Sequence, residues 1–349
     1  MAQSVFEKHP RLVLLGFIFA VVGLLAIMAE IGLRYVTPYN IGYYTAVLKE
    51  GAYRYPYGDI KINRDGYPDD DFDLSGTKTR IGYLGDSIIM GVGAGDGYRI
   101  SDLLQSRYPN DDHWTFGVMG NGLREDEMFE LVDKYKLDKI IYGFNLNDFL
   151  PPLRKNGQPI AGPKQSALER IVHAVERFVS RNVDGLRGKS YLYTVLRTGA
   201  KNILQQFGFG HTGFKSAELF PREHEELIRD TAERFNAAAR RLSEKNIELC
   251  LIVFPYEMQI SKEAAAAYRD KGIGWENGFE EGSTQTLFKK YLDLPHVYDG
   301  RDAFKDLPDS PPGTYFVYNR GDKIDFNHLN RRGHAVLTNG LIASKICDF

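Results

Sequence analysis

Thr79-Arg80-Ile81-Gly82-Tyr83-Leu84-Gly85-Asp86-Ser87-Ile88-Ile89-Met90-Gly91 is the stretch on which the reading of this chain turns. Ile81, Tyr83 and Leu84 form a short apolar run that reads as a buried strand. Ile88, Ile89 and Met90 read as the start of a helix. Gly85-Asp86-Ser87 stands between them. A serine at a strand-to-helix turn is lifted clear of the core, and its own N–H lies among the unpaired donors of a helix N-terminus. That is a favourable place for a nucleophile whose product is an oxyanion. Gly-Asp-Ser alone is a weak signal, since any turn can hold a serine.

Downstream, strands and helices alternate. His113–Val118 reads as a second strand ending in Met119-Gly120-Asn121-Gly122, with a helix over Glu125–Tyr135. Leu137–Phe144 is a third strand, ending in Asn145-Leu146-Asn147-Asp148. A strong helix runs over Arg222–Lys245, and Ile247–Phe254 is the most apolar strand, stopped by Pro255. His296–Tyr298 gives a short fifth strand, and Gly333–Ile346 a closing helix. Nearly unbroken apolar strands alternating with helices predict a parallel sheet covered on both faces. Sites in such sheets lie at the carboxyl ends of the strands, where Ser87, Gly120 and Asn147 all fall.

The glycine-rich Gly91–Gly97 lacks the Lys-Ser/Thr of a phosphate-binding loop and reads as a flexible loop at the rim of the site. Arg99–Tyr108 reads as a short helix with Ile100, Leu103 and Leu104 inward. Ile60–Asn63 reads as a short strand before the turn at Arg64-Asp65-Gly66. Asp69, Asp70, Asp71 and Asp73 lack the spacing of a calcium loop and read as solvated.

The 349 residues suffice for one large domain, and the net charge of −2 gives no reason to expect a nucleic-acid partner. Two cysteines, Cys250 and Cys347, make neither a disulfide framework nor a zinc site, and Cys250 reads as a buried free thiol. His113, His173, His211, His224 and His296 show no metal-ligand spacing, and His334 reads as helix packing.

Leu12–Met28 holds no charged residue, and the apolar run to Leu33 is broken only by Glu30. It is long enough to cross a bilayer of roughly 30 Å. Lys8, His9 and Arg11 precede it, so the positive-inside bias puts 1–11 in the cytoplasm, 12–33 in the membrane and the rest outside. The run is long for a cleaved signal peptide and no small-x-small site follows, which favours an uncleaved signal anchor. A tyrosine-rich juxtamembrane segment, 34–75, leads to the domain at 76–349. Between the third and fourth strands lies an insertion, 151–220, with eleven lysines and arginines against four acids. Ser166–Phe178 and Ser190–Phe207 within it read as amphipathic helices. It reads either as a lid that rests on an anionic membrane surface or binds an acidic glycan, or as a solvated cover.

Asp325 and His328, three residues apart, can be presented to one cleft by a short turn. Serine is a weak nucleophile until a base takes its proton, and a histidine base gains from a carboxylate that fixes its tautomer. Taken together, these pieces resemble the SGNH (GDSL-like) hydrolase family over nearly all of 76–349. Gly85-Asp86-Ser87 matches the nucleophile block, Gly117-Val118-Met119-Gly120 the glycine block, Asn147-Asp148 the asparagine block and Asp325–His328 the last block. The resemblance implies a flavodoxin-like three-layer α/β/α sandwich and acyl-ester chemistry with no cofactor and no metal. It implies Ser87 as nucleophile, His328 as base and Asp325 as its partner. The oxyanion would be held by the N–H groups of Ser87 and Gly120 and the side chain of Asn147. The asparagine block often reads Gly-x-Asn-Asp in the family; here Asn145 stands at the glycine's place and is a second amide able to donate. Asp86 reads as a structural hydrogen-bonder.

The anchor resembles bacterial members that act on envelope polysaccharides, which implies a single-pass inner-membrane protein with its domain on the periplasmic or extracellular side. The substrate implied is an acylated glycan or another ester, hydrolysed by water. The alternative is O-acetyl transfer to a surface polysaccharide, with a membrane acyltransferase or polysaccharide-export partner. A third is a non-catalytic glycan-binding or assembly protein.

Overall fold

The computed structural model describes residues 9–36, 50–55, 57–119, 125–149, 186, 189–197, 217–270, 273–317 and 325–347. Five strands form a single parallel sheet: β3 (Arg80–Gly85), β4 (Asp112–Gly117), β5 (Lys139–Phe144), β6 (Glu248–Val253) and β7 (Val297–Asp299), in the order β4-β3-β5-β6-β7. A separate antiparallel hairpin pairs β1 (Gly51–Tyr55) with β2 (Gly58–Ile62). In the parallel sheet the second strand lies outside the first and the later three follow on the other side, the flavodoxin-like order. The architecture is the α/β/α sandwich expected from the alternation, with all five expected strands in place.

Period-two alternation sends neighbouring residues of each strand to opposite faces. On one face Leu84, Phe116, Tyr142, Leu251 and Val253 pack against α4 (Glu125–Tyr135), α5 (Glu225–Ser243), α6 (Lys262–Asp270) and α7 (Ser283–Tyr291). On the other Ile81, Tyr83, Ile141, Cys250 and Ile252 pack against α3 (Ile100–Arg107) and α8 (Arg331–Ser344). The short α2 (Ser87–Met90) lies at the carboxyl edge. Helices α6 and α7 were not expected from the sequence. They are nine residues each, and the only large apolar side chain each buries fully is Tyr268 in α6 and Phe288 in α7, beside Ala264 and Ala265 or Thr284 and Gln285.

Two expectations are corrected in this core. Cys250 is not a free thiol: it is disulfide-bonded to Cys347, across a sequence separation of 97. Burial in β6 was legible, but the partner is brought in only because α8 docks on that face, at a Cα–Cα distance of 5.8 Å. Nor is Asp69 a solvated acid like its neighbours. It accepts the Thr115 N–H of the edge strand at 2.6 Å, and burial pushes its carboxyl up to about 7 against the opposing pull of Arg99.

The segment read as juxtamembrane is packed on the domain from residue 51 onward. Tyr53, Ile60 and Ile62 of the hairpin lie against Met90 and Val92, and Phe72 lies among Trp114, Phe116 and Tyr135. The N-terminal helix α1 (Pro10–Val36) is 27 residues long, slightly more than its expected span. It is long and apolar enough to cross a membrane, and none of its residues is buried. Of the two helices expected in the insertion, Ser166–Phe178 lies outside the described residues. The second is seen as a helical stretch over 191–197.

Candidate active site

Three glycines set the floor of the site. Gly85, Gly117 and Gly143 sit side by side in the register of β3, β4 and β5. A Cβ at Gly117 would strike the Met90 backbone, and one at Gly143 would strike Ile89. The glycine row lets α2 lie directly on the strand ends, where a side chain would lift it off. Asp86 caps α2, its Oδ1 accepting the Ile88 N–H at 2.9 Å, and Gly91 ends it in the left-handed region at φ 86°. The Ser87 N–H, first in the helix, donates to no backbone acceptor among the described residues.

Asp325 and His328 stand on the coil before α8. Ser87 Oγ lies 2.8 Å from His328 Nε2, and His328 Nδ1 lies 2.8 Å from Asp325 Oδ2. With Asp325 ionised, Nδ1 carries the proton and Nε2 accepts from the serine hydroxyl. Asp325 Oδ1 also accepts the His328 N–H at 3.2 Å, so one carboxylate fixes both the backbone and the ring of the histidine. Burial pushes the His328 imidazole down, but the Asp325 carboxylate outweighs it and the net shift is upward. Ser87 is buried, and the array meets solvent at the His328 and Asp325 side chains, 19% and 16% exposed.

The histidine coil is held from several sides. Glu257 N–H donates to Phe326 O at 2.8 Å, Val317 N–H to His328 O at 2.8 Å, and Tyr268 Oη lies 3.2 Å from Asp325 O. Asn330 caps α8 through Gly333 N–H at 3.0 Å. The Gly91–Gly97 loop, expected to be loose, is packed instead. A Cβ at Gly93 would strike the Leu329 carbonyl, and Arg331 Nε donates to Ala94 O at 2.9 Å. Its glycines permit close backbone approach, which a single sequence does not separate from flexibility.

Asn145 and Asn147 separate clearly. Asn145 is fully buried and its amide donates to Asp86 Oδ2 at 2.8 Å, so that donor is engaged in tying β5 to the nucleophile turn. Asn147 is exposed on the single turn Leu146–Asp148 beyond β5. Gly120 lies outside the described residues. Asp86 is the structural hydrogen-bonder expected, and His334 is the buried packing residue expected, its imidazole pushed down to about 3 by burial.

Two acids near the site were given no role in the sequence reading. Asp148 is buried, and burial together with the charge of Asp86 pushes its carboxyl up to about 9. Glu257 is buried, accepts from Tyr268 Oη and from Gly313 N–H (the latter at 2.6 Å), and burial pushes it up to about 7. Asp148 lies in the asparagine block itself, where it was given no role of its own. Glu257 carries no local signal. Among the described residues no group of three or more His, Cys, Asp or Glu is placed to hold a metal ion.

No family model matches the sequence, and the search of curated proteins gives no match. Several solved structures are similar to the chain. One is a protein described as lipolytic, of the G-D-S-L family, from Desulfitobacterium hafniense, at 10% identity and TM-score 0.35, covering 77% of this chain and 100% of that one. Another is an acetyl xylan esterase at 13% identity and TM-score 0.34, covering 76% and 98%. A third is the periplasmic domain of a lipopolysaccharide acetyltransferase from Salmonella ser. Paratyphi A, at 9% identity and TM-score 0.35, covering 78% and 86%. The α/β/α fold itself rests on the strand order and register described above.

Proposed function

We propose that the chain is a serine-dependent O-acyl esterase, anchored in the bacterial inner membrane by α1, with its domain outside the cytoplasm and an envelope or extracellular glycan as substrate. The observation that carries the chemistry is the Ser87–His328–Asp325 array, with both contacts at 2.8 Å. Ser87 Oγ attacks the ester carbonyl carbon while its proton passes to His328 Nε2. The oxyanion is received by the Ser87 N–H, with Gly120 N–H and the Asn147 amide as the further donors. As the intermediate collapses, the leaving alkoxide takes the proton from His328, and an acyl-serine remains. A water, activated in turn by His328, attacks the acyl carbon and returns Ser87 to its hydroxyl form.

Two features support the extracytoplasmic placement. The basic residues Lys8 and Arg11 precede the uncharged run that starts at Leu12, and the Cys250–Cys347 bond suits an oxidising compartment. The test is fluorophosphonate labelling of the purified full chain, followed by acetate release from acetylated glycans. Labelling that disappears in Ser87→Ala and His328→Ala, with acetate released only by the parent, is the expected result. Labelling without acetate release, but with transfer of acetyl to an added polysaccharide, would assign the same site to a sugar hydroxyl acceptor.

A further inference from the structure

Glu30 is the one acid in an otherwise apolar span, and a carboxylate there is costly unless it is paired. It is paired with the insertion. Its carboxylate accepts from Ser190 Oγ at 2.8 Å, Tyr191 N–H at 3.1 Å and Leu192 N–H at 2.9 Å, and from Arg34 Nε one turn on at 2.9 Å. Arg34 in turn donates to Lys189 O at 3.1 Å and lies over the Tyr191 ring, 5.4 Å from its centroid. Residues more than 150 positions apart are thus clasped side to side.

The depth of this clasp follows from length. A hydrocarbon core takes about 20 helical residues; counted from Leu12, the span ends near Ile31. Glu30 therefore sits at the outer hydrocarbon edge, and whatever it holds lies at that depth. The held segment has an apolar side. Leu192 and Leu196 are four apart and share a helix face, with Val195 beside them. Leu186, Val195 and Leu196 are 49%, 43% and 62% exposed, with no protein over them among the described residues. Lys189 at the head of the segment is also exposed.

We propose that Leu186 and the stretch 189–197 form a membrane-interface element. Glu30 and Arg34 clasp it to the end of α1, and Leu186, Val195 and Leu196 are immersed in the outer edge of the lipid bilayer. The inference rests on α1 being a membrane anchor. It gives the insertion a second attachment to the membrane beyond the helix itself, made of a polar clasp and a lipid-facing apolar face.

The test uses the full chain in nanodiscs of phosphatidylethanolamine and phosphatidylglycerol, with a nitroxide at one introduced cysteine. Both native cysteines are disulfide-bonded and stay unlabelled. Three positions are compared: Val21→Cys in mid-span, Leu196→Cys in the segment, and Lys289→Cys on the exposed side of α7. Collision with oxygen, which favours lipid, is measured against collision with a water-soluble nickel chelate. The expected oxygen-to-nickel ratio at Leu196 is several-fold above that at Lys289 and below that at Val21. Adding Glu30→Ala lowers the Leu196 ratio towards the Lys289 value and leaves Val21 unchanged. A Leu196 ratio equal to that of Lys289 overturns the inference while leaving the anchor intact. So does shielding of Leu196 from both reagents, which would mean that protein covers it. An aqueous reading at Val21 removes the anchor and the inference with it.

Discussion

Ser87 and His328 meet at 2.8 Å, yet the structure holds them by different means. The nucleophile half is local. Asp86 caps the helix one residue before Ser87, Gly91 closes it four residues after, and the glycine row beneath belongs to the strand ends themselves. The histidine half has no helix or strand from Asp325 to Asn330, only the isolated bridge of Leu329 to Phe316. Its position depends on Glu257, Tyr268 and Val317, and on the hold of Arg331 on Ala94, partners spread along the chain from 94 to 317. A nucleophile set mainly by its own turn depends elsewhere on the strand ends beneath it, Gly117, Gly143 and Asn145. A base set by distant donors is open to mutations far from the chemistry.

The largest effects fall where the halves touch. Ser87→Ala and His328→Ala should each lower turnover of an ester such as 4-nitrophenyl acetate by roughly 10⁶-fold, and the double variant should be no worse than either single one. Additive losses would break the idea that the halves act as a unit. Asp325→Asn should cost about 10⁴-fold, because the amide misplaces the imidazole proton. It also removes the charge that holds the imidazole above its ordinary 6.5. Turnover needs neutral His328, so in the parent it rises with pH through a midpoint above 6.5, and in Asp325→Asn that limb moves to lower pH. An unmoved limb in the pH–rate profile would assign it to another group.

The nucleophile half is probed next through Asp86. Asp86→Ala removes the cap and strands the buried Asn145 amide, a loss of about 2–4 kcal/mol in urea unfolding. Asp86→Asn keeps a capping oxygen. Asn145 can turn its amide over to accept from the new one, so most of the stability should return. If the two variants are equally unstable, charge at Asp86 matters more than its hydrogen bonds.

The same division explains what the sequence disclosed. Strands β3 to β7 were legible because each is an apolar run bounded by turn residues, and the nucleophile turn because its determinants are contiguous. Asp325 and His328 were legible as a pair three apart, and the structure joins them to Ser87. The supports of that pair were not. Glu257 has no periodic or motif context, and its value comes from Tyr268 and Gly313, which reach it only in the folded chain. Cys347 was hidden in the same way, its partner being set by the docking of α8. Gly93 shows a further limit: a glycine required by a neighbour's carbonyl looks in sequence like one required by a flexible loop.

The smallest predicted effect tests the histidine half at its hidden support. When Glu257 is protonated it can donate to Tyr268 Oη, freeing the phenol to donate to Asp325 O, 3.2 Å away. When it is ionised the phenol turns to Glu257 instead, and the Asp325 carbonyl loses that donor. Burial raises the folded carboxyl from an ordinary 4.5 to about 7. The folded state therefore binds more protons than the unfolded chain between those values. Glu257's contribution is fully present below pH 4.5 and is lost as pH rises to about 7, by up to about 3 kcal/mol. Glu257→Gln imitates the protonated form at every pH, with its amide donating to Tyr268. The expected outcome is that this variant, melted across pH 4 to 8 beside the parent, lacks the parent's fall in stability and matches or exceeds it at pH 8. A variant that keeps the fall would place the titrating group elsewhere, with Asp69 the next to test since burial raises it to about 7 as well. A variant destabilised at every pH would mean that the ionised carboxylate, through Gly313 and Tyr268 together, is the form that holds the histidine coil.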